Sequence, residues 1–183
     1  MVSSGAVSGS LTLASSDFEL FGLEPRFQLD STQLDQQWKQ LQKQVHPDQV
    51  ASQGSADKRL AMQWSVRVNE AYQRLKNPLR RAAYLCELHG APIRAEDNTA
   101  MPAAFLMQQM QWREDLDEAT DAAGIEALQQ QLFVEKKSLL QQCADAIDSH
   151  ADWTNAAQTV RALMFIERFE HDLDNRLERL DNN

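Results

Sequence analysis

His46 and Asp48 flank Pro47, and the two side chains are of the types that do acid–base chemistry, a carboxylate orienting an imidazole base. That use requires a third group and an enclosing pocket. The surrounding sequence supplies no nucleophile at a useful spacing, and no glycine-rich phosphate loop occurs anywhere in the 183 residues. The same tripeptide has two non-catalytic uses. Pro47 can stop a helix while Asp48 caps the next segment, or an exposed tripeptide held between paired helices can be read by a partner. His89, His150 and His171 are isolated and read as surface or helix-end residues. Cys86 and Cys143 lie far apart with no second ligand at metal-binding spacing, which argues against a zinc site and against a disulfide framework. They read as small hydrophobes in helices of a reducing compartment.

What positions His46-Pro47-Asp48 is a pair of helices. Asp30-Ser31 offers N-cap oxygens, and Leu34, Trp38, Leu41 and Val45 come after it at spacings of four, three and four, one apolar stripe of an α-helix. Lys39 and Lys43 share a different face of it and point to solvent. Pro47 ends the helix, because it lacks an N–H and its predecessor avoids the α region. After Ala51–Ser55 a second stripe runs through Leu60, Trp64, Val68, Ala71 and Leu75, and Asn77-Pro78 breaks it. A shorter helix carries Leu79, Ala82, Ala83, Leu85 and Leu88 and closes at Gly90, a residue suited to a left-handed cap. Phe18–Leu23 is a short apolar entry segment that can seal the pair. The pattern predicts an antiparallel helix hairpin with His46-Pro47-Asp48 at its tip.

Ala91 to Thr99 is polar and turn-forming and reads as an interdomain linker, placed at 91–100. Three helical segments come next: Pro102 to Ala123 ending near Gly124, Ile125 to about Ser149, and one from an N-cap near Asp152 to Leu180. Short connections between long amphipathic helices imply an antiparallel bundle. The first of them is apolar on too many sides. Phe105, Gln109, Trp112 and Leu116 line one face, while Leu106, Met107 and Met110 line a second, with Glu114 and Glu118 at its edge. The last helix carries a stripe of Ala162, Ile166, Phe169, Leu173, Leu177 and Leu180, with Phe165 off its centre. Periodicity alone leaves two readings: the second faces complete a wide core, or they form an exposed binding surface, a use to which methionine is suited.

Charge divides the chain in the same place. Residues 17–90 hold ten Lys/Arg against nine Asp/Glu, and residues 91–183 hold eight against eighteen, so the net −9 sits in the second half. Two halves facing different partners are implied, and a nucleic-acid binder is disfavoured because no basic face exists to neutralise phosphates. No apolar run reaches membrane-spanning length. Residues 1–16 are Ser/Gly-rich without a Lys or Arg, unlike a secretory signal or a transit peptide, and read as a disordered tail of a cytoplasmic protein.

Together these residues resemble a known family. Val68–Leu75 with Asn77–Tyr84 after it is similar to the third and fourth helices of the J-domain of DnaJ-type co-chaperones, with His46-Pro47-Asp48 at the expected place. Asp17–Leu23 with Phe27–Asp30 narrows the resemblance to the HscB type, the co-chaperones of iron–sulfur cluster assembly. Gln49 departs from the lysine that many J-domains carry after the aspartate, which leaves the tripeptide intact and removes one positive charge. In the second half, Phe105–Glu114 resembles the scaffold-binding helix of the HscB C-terminal domain, and Val160–Phe165 the segment supplying its aromatic partner. Met110 and Gln111 depart from the leucine and glutamate that relatives can have there. Met keeps the apolar contact and Gln111 loses a charge.

The resemblance implies an all-α protein: a J-domain helix hairpin at 17–90, and an antiparallel three-helix bundle at 101–183 that binds the scaffold protein. His46, Pro47, Asp48, Lys39 and Lys43 would then meet a DnaK-type ATPase chaperone, HscA. Leu106, Met107, Met110, Gln111, Glu114, Glu118 and Phe165 would meet the iron–sulfur scaffold protein IscU. No catalysis, cofactor, nucleic acid or membrane is implied. The competing expectation is a J-domain adaptor for another client, with the C-terminal half acting as a dimerisation module.

Overall fold

The computed structural model describes residues 11–45, 55–93 and 101–181, and the described residues form helices only. His46-Pro47-Asp48 and residues 94–100 of the expected linker lie outside them. Packing divides the chain into two compact units within a helix, between Arg81 and Ala82.

The first unit contains α1 (Asp17–Leu20), α2 (Ser31–Val45), α3 (Ser55–Lys76) and the start of α4 (Pro78–Leu88). Of the two expected caps on α2, Asp30 is the one used: its carboxylate accepts from the backbone N–H of Thr32 (2.8 Å) and Gln33 (3.2 Å). Leu34 is buried against α3, while Trp38, Leu41 and Val45 are half-buried. On α3, Val68, Ala71 and Leu75 are fully buried. Leu60, expected at the head of that stripe, is 48% exposed. Asn77 ends α3 and caps α4, accepting from Arg80 N–H at 3.0 Å, with Pro78 at the first helical position.

Residues 11–16, expected in a disordered tail, carry structure. Thr12–Ser15 make a turn, Ser16 caps α1 in a reciprocal box with Glu19, and the Arg67 guanidinium donates to the carbonyls of Leu13 (3.2 Å) and Ser15 (2.8 Å). Asp17, with no exposed surface, sits between Arg67 (2.7 Å) and Arg74 (3.0 Å). Composition could not reveal this, since the order comes from arginines more than fifty residues away.

The second unit contains the rest of α4, α5 (Ala103–Glu118), α6 (Ala122–Ala144) and α7 (Trp153–Asp181). The sequence places the boundary at Gly90, and packing places it nine residues earlier. One reason is visible: His89, beyond the end of α4, stacks face to face on Trp153 of α7 with ring centroids 3.7 Å apart. Gly90 caps α4 at φ +75° as expected. Cys86 is buried in this unit, and burial pushes its thiol up to about 11.

The break between α5 and α6 falls at 119–121, ahead of the expected position near Gly124. Asp121 accepts from Gly124 N–H at 2.9 Å and caps α6, so the glycine lies in the first turn of the next helix. At its far end α6 widens into a π-helical turn, Asp145–Ser149, before Ala151 reverses the chain at φ +50°. Asp152 then caps α7 through Asn155 N–H (3.1 Å), as the sequence suggests. Ile125, Leu128, Leu132 and Leu139 of α6 make the core with Val160, Leu163, Ile166, Phe169 and Leu173 of α7. Val160 and Leu163 lie off the stripe read from the sequence, and both are buried because the front half of α7 is covered on more than one side.

Candidate functional site

Two surfaces correspond to the residues singled out above, one on each unit. On the first, Lys39 and Lys43 are exposed on α2. The tripeptide they lead to lies outside the described residues. What holds this face in place is a polar lock across the hairpin. Trp38 stacks on Tyr72 with centroids 4.4 Å apart, and its indole N–H donates to Asn69 Oδ1 at 3.1 Å. The Gln42 carboxamide donates to the same Asn69 oxygen. One turn nearer the start of α2, Asp35 accepts from the Tyr72 hydroxyl (3.0 Å) and pairs with Lys76 (2.6 Å). The bonds from Lys76 and Tyr72 hold the Asp35 carboxyl below its ordinary range, and Asp35 in return raises Lys76. Asn69 escaped the sequence reading. Its signal was position alone, one residue after the buried Val68 and facing Trp38.

On the second unit the excess apolar face of α5 resolves into unequal parts. Met107 is 71% and Met110 64% exposed, and Gln111, Glu114 and Glu118 are exposed on the same side. Leu106 is half-buried. The opposite side of α5 is engaged: Trp112 is buried, and its ring stacks on Phe165 at 6.3 Å and Phe169 at 6.4 Å. Phe165 also stacks on Phe169 (5.8 Å) and meets the edge of Phe105 (6.0 Å). Phe165 is therefore a member of an aromatic cluster and half-buried, so of the two readings left open by periodicity this ring takes the core side. The reason is its register on α7, which faces it to α5 one turn from Phe169. The Arg113 guanidinium lies 5.8 Å from the Phe165 ring centroid, a cation–π contact that sequence reasoning missed.

Among the described residues no group of His, Cys, Asp and Glu could hold a metal ion, and no helix is long and apolar enough to cross a membrane. The arrangement offers two chemically different faces: lysines and a helix end on one unit, methionines and carboxylates on the other.

Comparison with known proteins gives the family of the chain. Residues 101–174 match a family model described as the HSCB C-terminal oligomerisation domain. Co-chaperone protein HscB homologs from Burkholderia multivorans and Burkholderia cenocepacia are each 47% identical over 174 residues, covering 93% of this chain and 99% of the relative. The chain belongs to the HscB co-chaperone family. Solved HscB structures share its fold over most of its length. Chaperone HscB from Vibrio cholerae, 36% identical, superimposes with a TM-score of 0.83 over 90% of this chain and 99% of its own. The human co-chaperone HscB, 26% identical, gives the same TM-score over 89% and 82%. Membership in HscB accounts for the all-helical architecture and the helix hairpin with a bundle after it, and its relatives are co-chaperones, a class that works without catalysing a reaction of its own.

Proposed function

We propose that this protein stimulates the ATPase of a specialised DnaK-type chaperone, HscA, and brings the iron–sulfur scaffold protein IscU to it. The first unit acts as the J-domain. Its free-energy input is a higher affinity for the hydrolysis-competent state of the chaperone than for the other state. Lys39 and Lys43 steer the encounter with an acidic surface, and His46, Pro47 and Asp48 make the state-selective contacts. The second unit holds the client through Leu106, Met107, Met110, Gln111, Glu114, Glu118 and the Phe165 edge of the aromatic cluster. Joining the two activities in one chain raises the effective concentration of client at the chaperone.

The observation that carries the client half is that Met107 and Met110 stand in solvent on a helix whose opposite side carries the buried Trp112. An adaptable apolar pair bordered by Glu114 and Glu118 is a surface for a partner rather than for water. The deciding experiment measures ATP hydrolysis by HscA with the full chain, with and without IscU. The expected result is stimulation by the chain, more with IscU, abolished by His46→Gln and reduced, most at low salt, by Lys39→Ala with Lys43→Ala. Unchanged hydrolysis with the wild-type chain rules the reading out.

A second reading has its own support. The matching family model is described as an oligomerisation domain, and Phe133 and Val134 of α6 are each 60% exposed. An adaptor that dimerises through its C-terminal half would show a mass that doubles with concentration and no capture of IscU by the second half.

A further inference from the structure

Between α5, α6 and α7, on a different side of α5 from Met107, lies a cavity of about 320 Å3. Its size is at the lower end of the roughly 300–1,000 Å3 of ligand sites and suits one long side chain. The floor is apolar: Phe105 from α5, Leu139 from α6 (7% exposed) and Ala162 from α7 (4% exposed). The rim is polar and acidic. Glu135 is half-buried there, and among the described residues its carboxylate has neither a hydrogen bond nor an ion pair. By contrast its neighbour Lys136 is already paired with Glu170 at 2.7 Å. The carboxamides of Gln108 and Gln158 on the same rim are also unengaged among the described residues. Thr159 is not available, since its hydroxyl donates to the Asn155 carbonyl at 2.9 Å.

We infer that this cavity is a docking site for an arginine side chain of a partner polypeptide. The stem of arginine fits an apolar floor, and its planar head needs acceptors, which one carboxylate and two carboxamide oxygens supply. Charge complementarity points the same way, because residues 91–183 carry eighteen acidic against eight basic side chains. A cation approaching this half is attracted before it reaches Glu135. The site shares no residue with the proposed IscU face and stands or falls apart from it.

The test tracks the side-chain amide resonances of Gln108 and Gln158 in the full chain during titration with N-acetyl-arginine methylamide. The norleucine analogue supplies a stem without charge, and the glutamate analogue the opposite charge. Saturable shifts with the arginine probe are expected, and Glu135→Gln, nearly isosteric, weakens its affinity about tenfold, as loss of one charge-assisted bond requires. Ala104→Trp, a substitution on the exposed rim, abolishes the shifts by filling the entrance. Equal or tighter binding of either analogue overturns the inference. So does an arginine response that is absent, or unchanged in both variants.

Discussion

The two units solve the same problem, packing helices side by side, with different chemistry at the seam. Between α2 and α3 the outer seam is polar: one asparagine oxygen takes two donors, and one aspartate takes a tyrosine and a lysine. Between α5 and α7 it is aromatic, four rings with a guanidinium laid over one of them. Directional bonds fix register and leave the neighbouring lysines free to be solvated. Ring stacking needs no donor–acceptor pairing, and it engages one side of α5 while the methionines stay exposed on the opposite side. The first unit thus presents charge on a rigid frame, and the second presents an adaptable apolar face.

The comparison breaks most readily at Phe165. If the ring belongs to the cluster, Phe165→Ala destabilises the second unit by about 2–4 kcal/mol, near the low end for buried phenylalanine because the ring is only half-buried. Met107→Ala and Met110→Ala, being exposed, stay within about 0.5 kcal/mol while costing scaffold affinity. Urea midpoints and scaffold affinities on the same variants check both halves. A stable Phe165→Ala would return that ring to the surface.

Asp17→Asn comes next. Neutralising a carboxylate with no solvent exposure leaves Arg67 and Arg74 facing each other, and since both arginines keep some exposure the loss is about 2–3 kcal/mol. It falls on the first unit, so hydrogen exchange in α3 accelerates more than in α6. Equal acceleration in both would show that the units do not unfold separately.

The smallest effect is a pH dependence confined to the α2–α3 seam. Asp35 titrates lower folded than unfolded, so its contribution is present above the ordinary carboxylate pKa and fades as pH falls through the folded value. Asp35→Asn removes that acid-limb slope from the first unit. Lys76 is shifted up by the same partner, so its share is present below the ordinary lysine value and fades only as pH rises through the folded one. An unaltered acid limb in Asp35→Asn would assign the seam's stability to the Trp38–Tyr72 stack and the bonds to Asn69.

Most of the fold was legible because it depends on local signals. The stripe of α2, the Asp30 cap, the Asn77-Pro78 break and the Asp152 cap are all written within one or two turns of where they act. The illegible parts depend on distant partners. Arg67 orders residues 13 and 15 across half a hundred positions, and Phe165 finds its stacking partner Trp112 on another helix. The misplaced end of α5 is a contest between two neighbouring signals, in which the Asp121 cap outranks the glycine three residues on. Of the α5 face, the exposed methionines were foreseen as one of two readings. Nothing in the spacing distinguished half-buried Leu106 from exposed Met107, since that depends on where α6 and α7 lie.

The height of the Cys86 thiol has a chemical consequence. At about 11, only about one molecule in ten thousand carries the thiolate at neutral pH, and the thiolate is the form that binds metals and attacks alkylating agents. A protein proposed to work beside iron and sulfide therefore keeps this sulfur out of competition with its client while folded. The same protection makes Cys86 a clock: its reaction with iodoacetamide is gated by opening of the second unit, so the labelling rate reads how often that core comes apart.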